Sequence, residues 1–272
     1  DVLAILKDAG GTTDNNEARR WQWQISSWKS EGLNSDSAQT ASAGNPDLMQ
    51  IALQMGRYEE RLLAYQSVDF DDLINLPLKL LREHDAVREK WQKLVGHVLV
   101  DEYQDTSSTQ YELLRLLSGS KARFTCVGDD DQSIYAWRGA TLDNLKKLPL
   151  DYPQLRVIKL EQNYRSVGSV LQAANNVIGS NPKLFQKTLW SDLGAGEPVR
   201  VVEADHEEHE AERTIAHIQR LHAVVEADFL AGRVPRRPAW SDYAILYRAN
   251  HLARVFEQSL RKANIPYKVS GG

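Results

Sequence analysis

The run His97-Val98-Leu99-Val100 ends abruptly on two carboxylates, Asp101 and Glu102. The same arrangement recurs twice: Ala122 to Val127 ends in Gly128-Asp129, and Arg156 to Leu160 ends in Glu161-Gln162. Helical stretches separate these runs. One spans about Ser108 to Leu117, with Tyr111, Leu114 and Leu117 on one face and Gly119 as its stop. Short apolar strands alternating with helices specify βαβ units and a mostly parallel sheet, so the fold class is α/β. Ligands of such sheets bind beyond the carboxyl ends of the strands, which is where these polar clusters fall.

The flanks differ. Residues 1 to 67 form an all-helical subdomain by their spacing: Trp21, Ile25 and Trp28 share a face, as do Leu48, Ile51, Met55, Tyr58 and Leu62. Between them Gly32 to Pro46, rich in Ser, Ala and Asn, is expected as a loop. Beyond residue 157 the α/β alternation resumes. Strands are expected at Pro198 to Val202, Tyr243 to Tyr247 and Tyr267 to Ser270, with a helix over Glu207 to Phe229. Asn250 is expected to cap a further helix whose inner face is Leu252, Val255, Phe256 and Leu260. The expected domains are thus 1–67, 68–156 and 157–272.

Composition narrows the function. A net charge of −4 excludes a uniformly basic nucleic-acid coat, but a local basic groove needs no bulk surplus. The single cysteine, Cys126, excludes an internal disulfide framework and fits a reducing, cytoplasmic setting. No run of eighteen apolar residues is present, so a membrane span is not expected.

The strand-end clusters carry the chemistry. An Asp at the position of Asp101 can hold Mg²⁺, and an adjacent Glu can orient or deprotonate water attacking a phosphate. Taken alone, Asp101-Glu102 is equally an acidic turn capping the next helix. Asp129-Asp130-Asp131 repel one another, and a nearby cation would offset that repulsion. Gln132 is a neutral group able to sense a phosphate. Tyr135 and Trp137 suit stacking on exposed bases, or belong to the core. Arg165 could stabilise transition-state charge from across a cleft, and Tyr164 could stack on a purine.

Three motifs in order, Asp101-Glu102-Tyr103-Gln104-Asp105, Gly128 to Ala140 and Gln162-Asn163-Tyr164-Arg165-Ser166, resemble motifs II, III and IV of the superfamily 1A helicases, the UvrD/PcrA/Rep type. Val68-Asp69-Phe70-Asp71-Asp72-Leu73 resembles a further family segment. Tyr247-Arg248-Ala249-Asn250 and Ile265 to Gly272 resemble the stretch before the family's large second insertion. The run Glu207 to Arg213 is most similar to the Rep branch. The resemblance implies parts of two RecA-like motor domains of the P-loop NTPase type, behind the helical subdomain. It implies ATP and Mg²⁺ as cofactors, and single-stranded DNA and duplex junctions as partners, with replication or repair proteins as further ones. Asp101 would bind Mg²⁺ with Glu102 nearby, and Glu102 would activate water. Gln132 would sense the γ-phosphate, Arg165 would be the arginine finger and Tyr164 would lie on the adenine. Arg138 would link the nucleotide site to the DNA track. Tyr135, Trp137, Arg248, Asn250 and Phe70 would contact the strand. The implied activity is 3′ to 5′ translocation and unwinding.

The sequence departs from the family in two respects: the late motifs that couple nucleotide to DNA are absent, and so is the phosphate-binding loop. A phosphate-binding loop needs Gly-Lys, and no Gly in this chain precedes Lys. The expectation is therefore a piece of a longer motor, starting inside one helical insertion and stopping at the next, with no ATPase of its own. A non-enzymatic module with a degenerate motor fold is the alternative, and intact Asp101, Glu102, Gln132 and Arg165 speak against it. His206 and His209 lack the spacing and company of a metal site, and Lys146-Lys147 and Arg236-Arg237 are expected on solvated surface. Trp21 and Trp28 are expected in the core and Trp23 on the surface.

Overall fold

A computed structural model describes residues 2–119 and 123–270, so Ala122 and the terminal Gly271-Gly272 lie outside the described residues. The chain divides into two compact units, Asp1–Gly196 and Glu197–Gly272.

In the first unit, α1 (Val2–Gly10), α2 (Asn15–Ser30), α3 (Ser35–Ala41) and α4 (Pro46–Ala64) enclose one apolar cluster. Trp21, Ile25, Trp28, Ile51, Met55, Tyr58 and Leu62 are all buried in it, as their helical spacing requires, while Trp23 is exposed. α3 corrects the expected loop over residues 32–46. Asn34 Oδ1 accepts from the Ser37 backbone N–H and Ser37 Oγ accepts from the Asn34 N–H. This reciprocal cap starts a helix in a segment whose composition suggests a turn, because Asn and Ser serve caps and loops alike.

α5 (Asp72–Glu83) and α6 (Asp85–Leu94) lead to β1 (Val98–Val100), α7 (Ser108–Ser118) and β2 (Phe124–Cys126). β1 and β2 pair in parallel, with Val98 opposite Phe124, Leu99 opposite Thr125 and Val100 opposite Cys126. Tyr103, Tyr111, Leu114, Leu145 and Leu148 form the core on one side of this pair. α8 (Asp143–Asp151) supplies the last two of these, and α9 (Gly168–Ile178) follows the third polar motif.

The second unit holds α10 (Glu207–Leu230) and α11 (Ala253–Lys262), with Ala211, Ile215, Ala253 and Ile265 buried. Asn250 opens a short 3-10 turn ahead of α11 rather than capping the helix itself; Leu252 holds the cap position.

The sheet is smaller than the sequence suggests. Among the described residues only β1 and β2 form a ladder, and residues 156–160, 198–202, 243–247 and 267–270 are not paired as strands. Apolar β-formers make a strand only when a neighbouring strand supplies hydrogen bonds and side-chain partners. Without one, Val201 is 97 % and Leu246 93 % exposed. The structure is thus rich in helix with a small parallel sheet, which is coarser than two motor sheets.

Candidate nucleotide and nucleic-acid site

The parallel register places the carboxyl ends of β1 and β2 on one edge. Val127 N–H donates to Val100 O at 2.8 Å and Tyr103 N–H to Val127 O at 2.9 Å, so the acidic turn is laced to the second strand end. Glu102 sits in the left-handed region, at φ 48° and ψ 45°. This backbone costs a residue with a Cβ roughly 1–2 kcal/mol. In this conformation the Glu102 carboxylate meets Gln104, whose Nε2 donates to Glu102 Oε2 at 2.7 Å. Gln104 is only 1 % exposed, and its Oε1 accepts from the Asp129 backbone N–H at 3.0 Å. Asp129 Oδ2 in turn accepts from Gln132 Nε2 at 2.8 Å. A continuous chain, Glu102–Gln104–Asp129–Gln132, therefore joins two of the expected residues. Asp101, exposed, accepts the Glu102 N–H through Oδ1 at 2.9 Å. Nothing in the sequence spacing of Gln104 marks it as a bridge.

The cation that offsets the three adjacent aspartates comes from the protein itself. Lys187 Nζ reaches Asp129, Asp130 at 2.6 Å and Asp131 at 3.2 Å, and Lys183 also pairs with Asp131 at 3.2 Å. The Leu184 and Phe185 N–H groups donate to Asp130 Oδ2. Burial pushes the Asp129 and Asp130 carboxyls up, but the hydrogen bonds they accept, led by those from Lys187, and the Lys187 charge together hold both below the ordinary range. These three acids are thus each paired with a lysine of the chain, whereas Asp101 is left open to solvent. Neither lysine was singled out from sequence, because each is more than fifty residues from its partners.

Next along the same loop, Tyr135 and Trp137 lie with ring centroids 6.3 Å apart, and both are exposed. The Arg138 guanidinium is 4.6 Å from the Trp137 centroid and 5.2 Å from that of Tyr135. This loop packs on the end of α2: Gly139 has φ +84°, and a Cβ there would overlap Ser30 Oγ. Phe70 joins Tyr135 and Arg138 in lining a pocket of about 470 Å³, together with Asp71, Asn75 and Asp105. Asn75 Oδ1 and Asp105 Oδ1 are buried acceptors without a hydrogen-bond partner among the described residues.

The third motif forms a turn of its own. Asn163 Oδ1 accepts from the Arg165 and Ser166 N–H groups at 2.9 and 2.7 Å, and Tyr164 OH donates to Gln162 Oε1. Tyr164 and Arg165 are exposed. Among the described residues no hydrogen bond or ion pair ties this turn to Asp101 or Glu102. Arg248 and Asn250 are exposed in the second unit.

Residues 2–153 match the model of the UvrD/REP helicase N-terminal domain, and residues 158–272 match that of the UvrD-like helicase C-terminal domain. The ATP-dependent DNA helicase Rep of Salmonella typhimurium is 49 % identical over 275 residues, covering 100 % of this chain and 39 % of the relative. Rep of Escherichia coli is 47 % identical with the same coverage. The ATP-dependent DNA helicase PcrA of Leuconostoc citreum is 37 % identical over 98 % of this chain and 34 % of the relative. The chain thus spans less than two fifths of the length of the curated relatives it matches. With two family models that together span almost every residue, the chain belongs to the UvrD/Rep family of helicases.

Proposed function

We propose that the chain is the water-activating and strand-gripping part of an ATP-dependent 3′ to 5′ DNA helicase that unwinds duplex DNA in replication or repair. The observation that carries this reading is the hydrogen-bonded chain from Glu102 through Gln104 and Asp129 to Gln132, on the loop that continues into Tyr135, Trp137 and Arg138. In this reading the domains are a helical subdomain over 1–67 and parts of two RecA-like motor domains over 68–156 and 157–272.

The exposed carboxylate at the strand end fits Mg²⁺. Asp101 offers exposed carboxylate oxygen, the hard donor that such a cation takes. When bound, the cation neutralises charge on the transferring phosphoryl group. Glu102 Oε2 is held by Gln104, which leaves Oε1 to orient the attacking water and take its proton. Gln132 senses the phosphate and passes the signal along its own loop. Arg165 stabilises transition-state charge, and Tyr164 lies on the adenine. Bases stack on Phe70, Tyr135 and Trp137, and Arg248 and Asn250 hold the strand in the second unit. Arg138, stacked on both rings, links the two functions. Stacking and phosphate contacts make such binding sequence-tolerant and salt-sensitive.

The test uses a longer protein in which this chain is preceded by a phosphate-binding loop. DNA-stimulated ATP hydrolysis is expected, and Glu102→Gln should abolish it. Normal turnover with Gln at 102 would overturn the role of Glu102. The 272-residue chain alone is expected to show no measurable turnover.

A further inference from the structure

We propose that Lys29, in the helical subdomain, is a positioning residue for the strand-stacking face: it locks the turn that holds Phe70 out into solvent. The inference rests on the reading that Phe70 stacks on bases. Lys29 lies in the last turn of α2, and its side chain is only 4 % exposed. Its Nζ donates to Asp69 Oδ2 at 2.7 Å and to Asp72 Oδ1 at 2.8 Å. Tyr58 of α4 donates its OH to the same Asp69 oxygen at 3.0 Å. The two aspartates also clasp each other's backbone: the Asp72 N–H donates to Asp69 Oδ1 and the Asp69 N–H to Asp72 Oδ2. Asn75 Nδ2 donates to the Lys29 carbonyl at 2.9 Å. The turn is therefore tied on both sides of Phe70, whose ring is 87 % exposed.

Two physical points favour orientation over plain stability. A buried ion pair costs about as much in desolvation as it returns, and replacing the whole pair by packed apolar residues is often neutral, although removing one partner alone leaves the other charges uncompensated. What an ionic network adds is a defined geometry. In addition, a ring exposed to this degree adds little to the core and leaves its face free for a stacking partner. The end of α2 also seats the other half of the face, because Ser30 packs against Gly139 and the Ser30 carbonyl accepts from Thr109 Oγ1. Lys29 and its neighbour thus set Phe70 opposite Tyr135 and Arg138 around the pocket.

The test is binding of the whole chain to a labelled oligo(dT), followed by fluorescence anisotropy, with helicity checked by circular dichroism. Phe70→Ala is expected to weaken binding by roughly tenfold, the loss of about one stacked base. Lys29→Met should weaken it by a similar factor, and the double variant should be no weaker than Phe70→Ala alone. The slope of log affinity against log salt should stay unchanged in Lys29→Met, because a buried ammonium touches no phosphate. A folded Lys29→Met that binds like the parent, or losses that multiply in the double variant, would overturn the positioning role while leaving the stacking reading intact. No effect of Phe70→Ala would sink the stacking reading and this inference with it. If Lys29→Met loses its helical signature, Asp72→Asn enters the same cycle with the same expected outcomes.

Discussion

Glu102 shows how a single residue can be legible in its chemistry and hidden in its conformation. The acid after a strand is visible in sequence, but its left-handed backbone is not, because non-glycine residues adopt that region only when their surroundings impose it. Here the Tyr103–Val127 hydrogen bond and the Gln104 bridge impose it. Glycine escapes the Cβ clash but loses more chain entropy. Glu102→Gly should therefore exceed Glu102→Ala in stability by about 1 kcal/mol, measured by urea unfolding. Equal stabilities would mean the strain is not borne by the Cβ. Cys126 makes a second prediction. Burial in β2 pushes its thiol up to about 11, so at neutral pH it stays protonated. Its reaction with an aromatic disulfide should be much slower in the native chain than in urea.

At the level of elements, two kinds of signal behaved differently. Helix faces were readable, since α2, α4 and α7 bury residues singled out by their spacing. Strands were readable only where a partner exists, which is why β1 and β2 formed and residues 198–202 and 243–247 did not pair. The 183–187 segment carried no signal at all, because charge pairing over such separations is set by tertiary contact. Its removal should be felt: Lys187→Met leaves three clustered carboxylates with Lys183 alone. We expect a loss of about 2 kcal/mol, somewhat under that for breaking a fully buried pair, read from urea unfolding. In the helical subdomain, Trp21→Ala should cost about 3–5 kcal/mol, as expected for emptying an aromatic site in a closed core.

For the whole molecule, burial of ionisable groups sets the alkaline limit. Burial pushes the Tyr58, Tyr103 and Tyr111 hydroxyls above their ordinary 10.0. Burial alone would lower Lys29, but its hydrogen bonds to Asp69 and Asp72 outweigh this and hold it above 10.5. All four folded values are raised. Their stabilisation is therefore complete below the unfolded values and is lost as the pH rises through the folded ones. Urea midpoints should be flat up to about pH 10 and fall above it, and Tyr58→Phe should make the fall shallower. An alkaline limb unchanged by Tyr58→Phe would remove that residue from the account. Among the described residues no helix is long and apolar enough to cross a membrane, in line with the short apolar runs of the sequence.

By itself the sequence determined the buried faces of α2, α4 and α7, where two strands end, and which side chains stand at those ends. These depend on periodicity and on motifs a few residues long, which local physics can read. Only the tertiary structure decided that Gln104 bridges two strand ends, that lysines more than fifty residues away pair with Asp129 to Asp131, and that Lys29 fastens the Phe70 turn. Each of those rests on a contact between distant parts of the chain. A hydrogen bond or ion pair of this kind depends on distance in space, and no spacing along the chain encodes it.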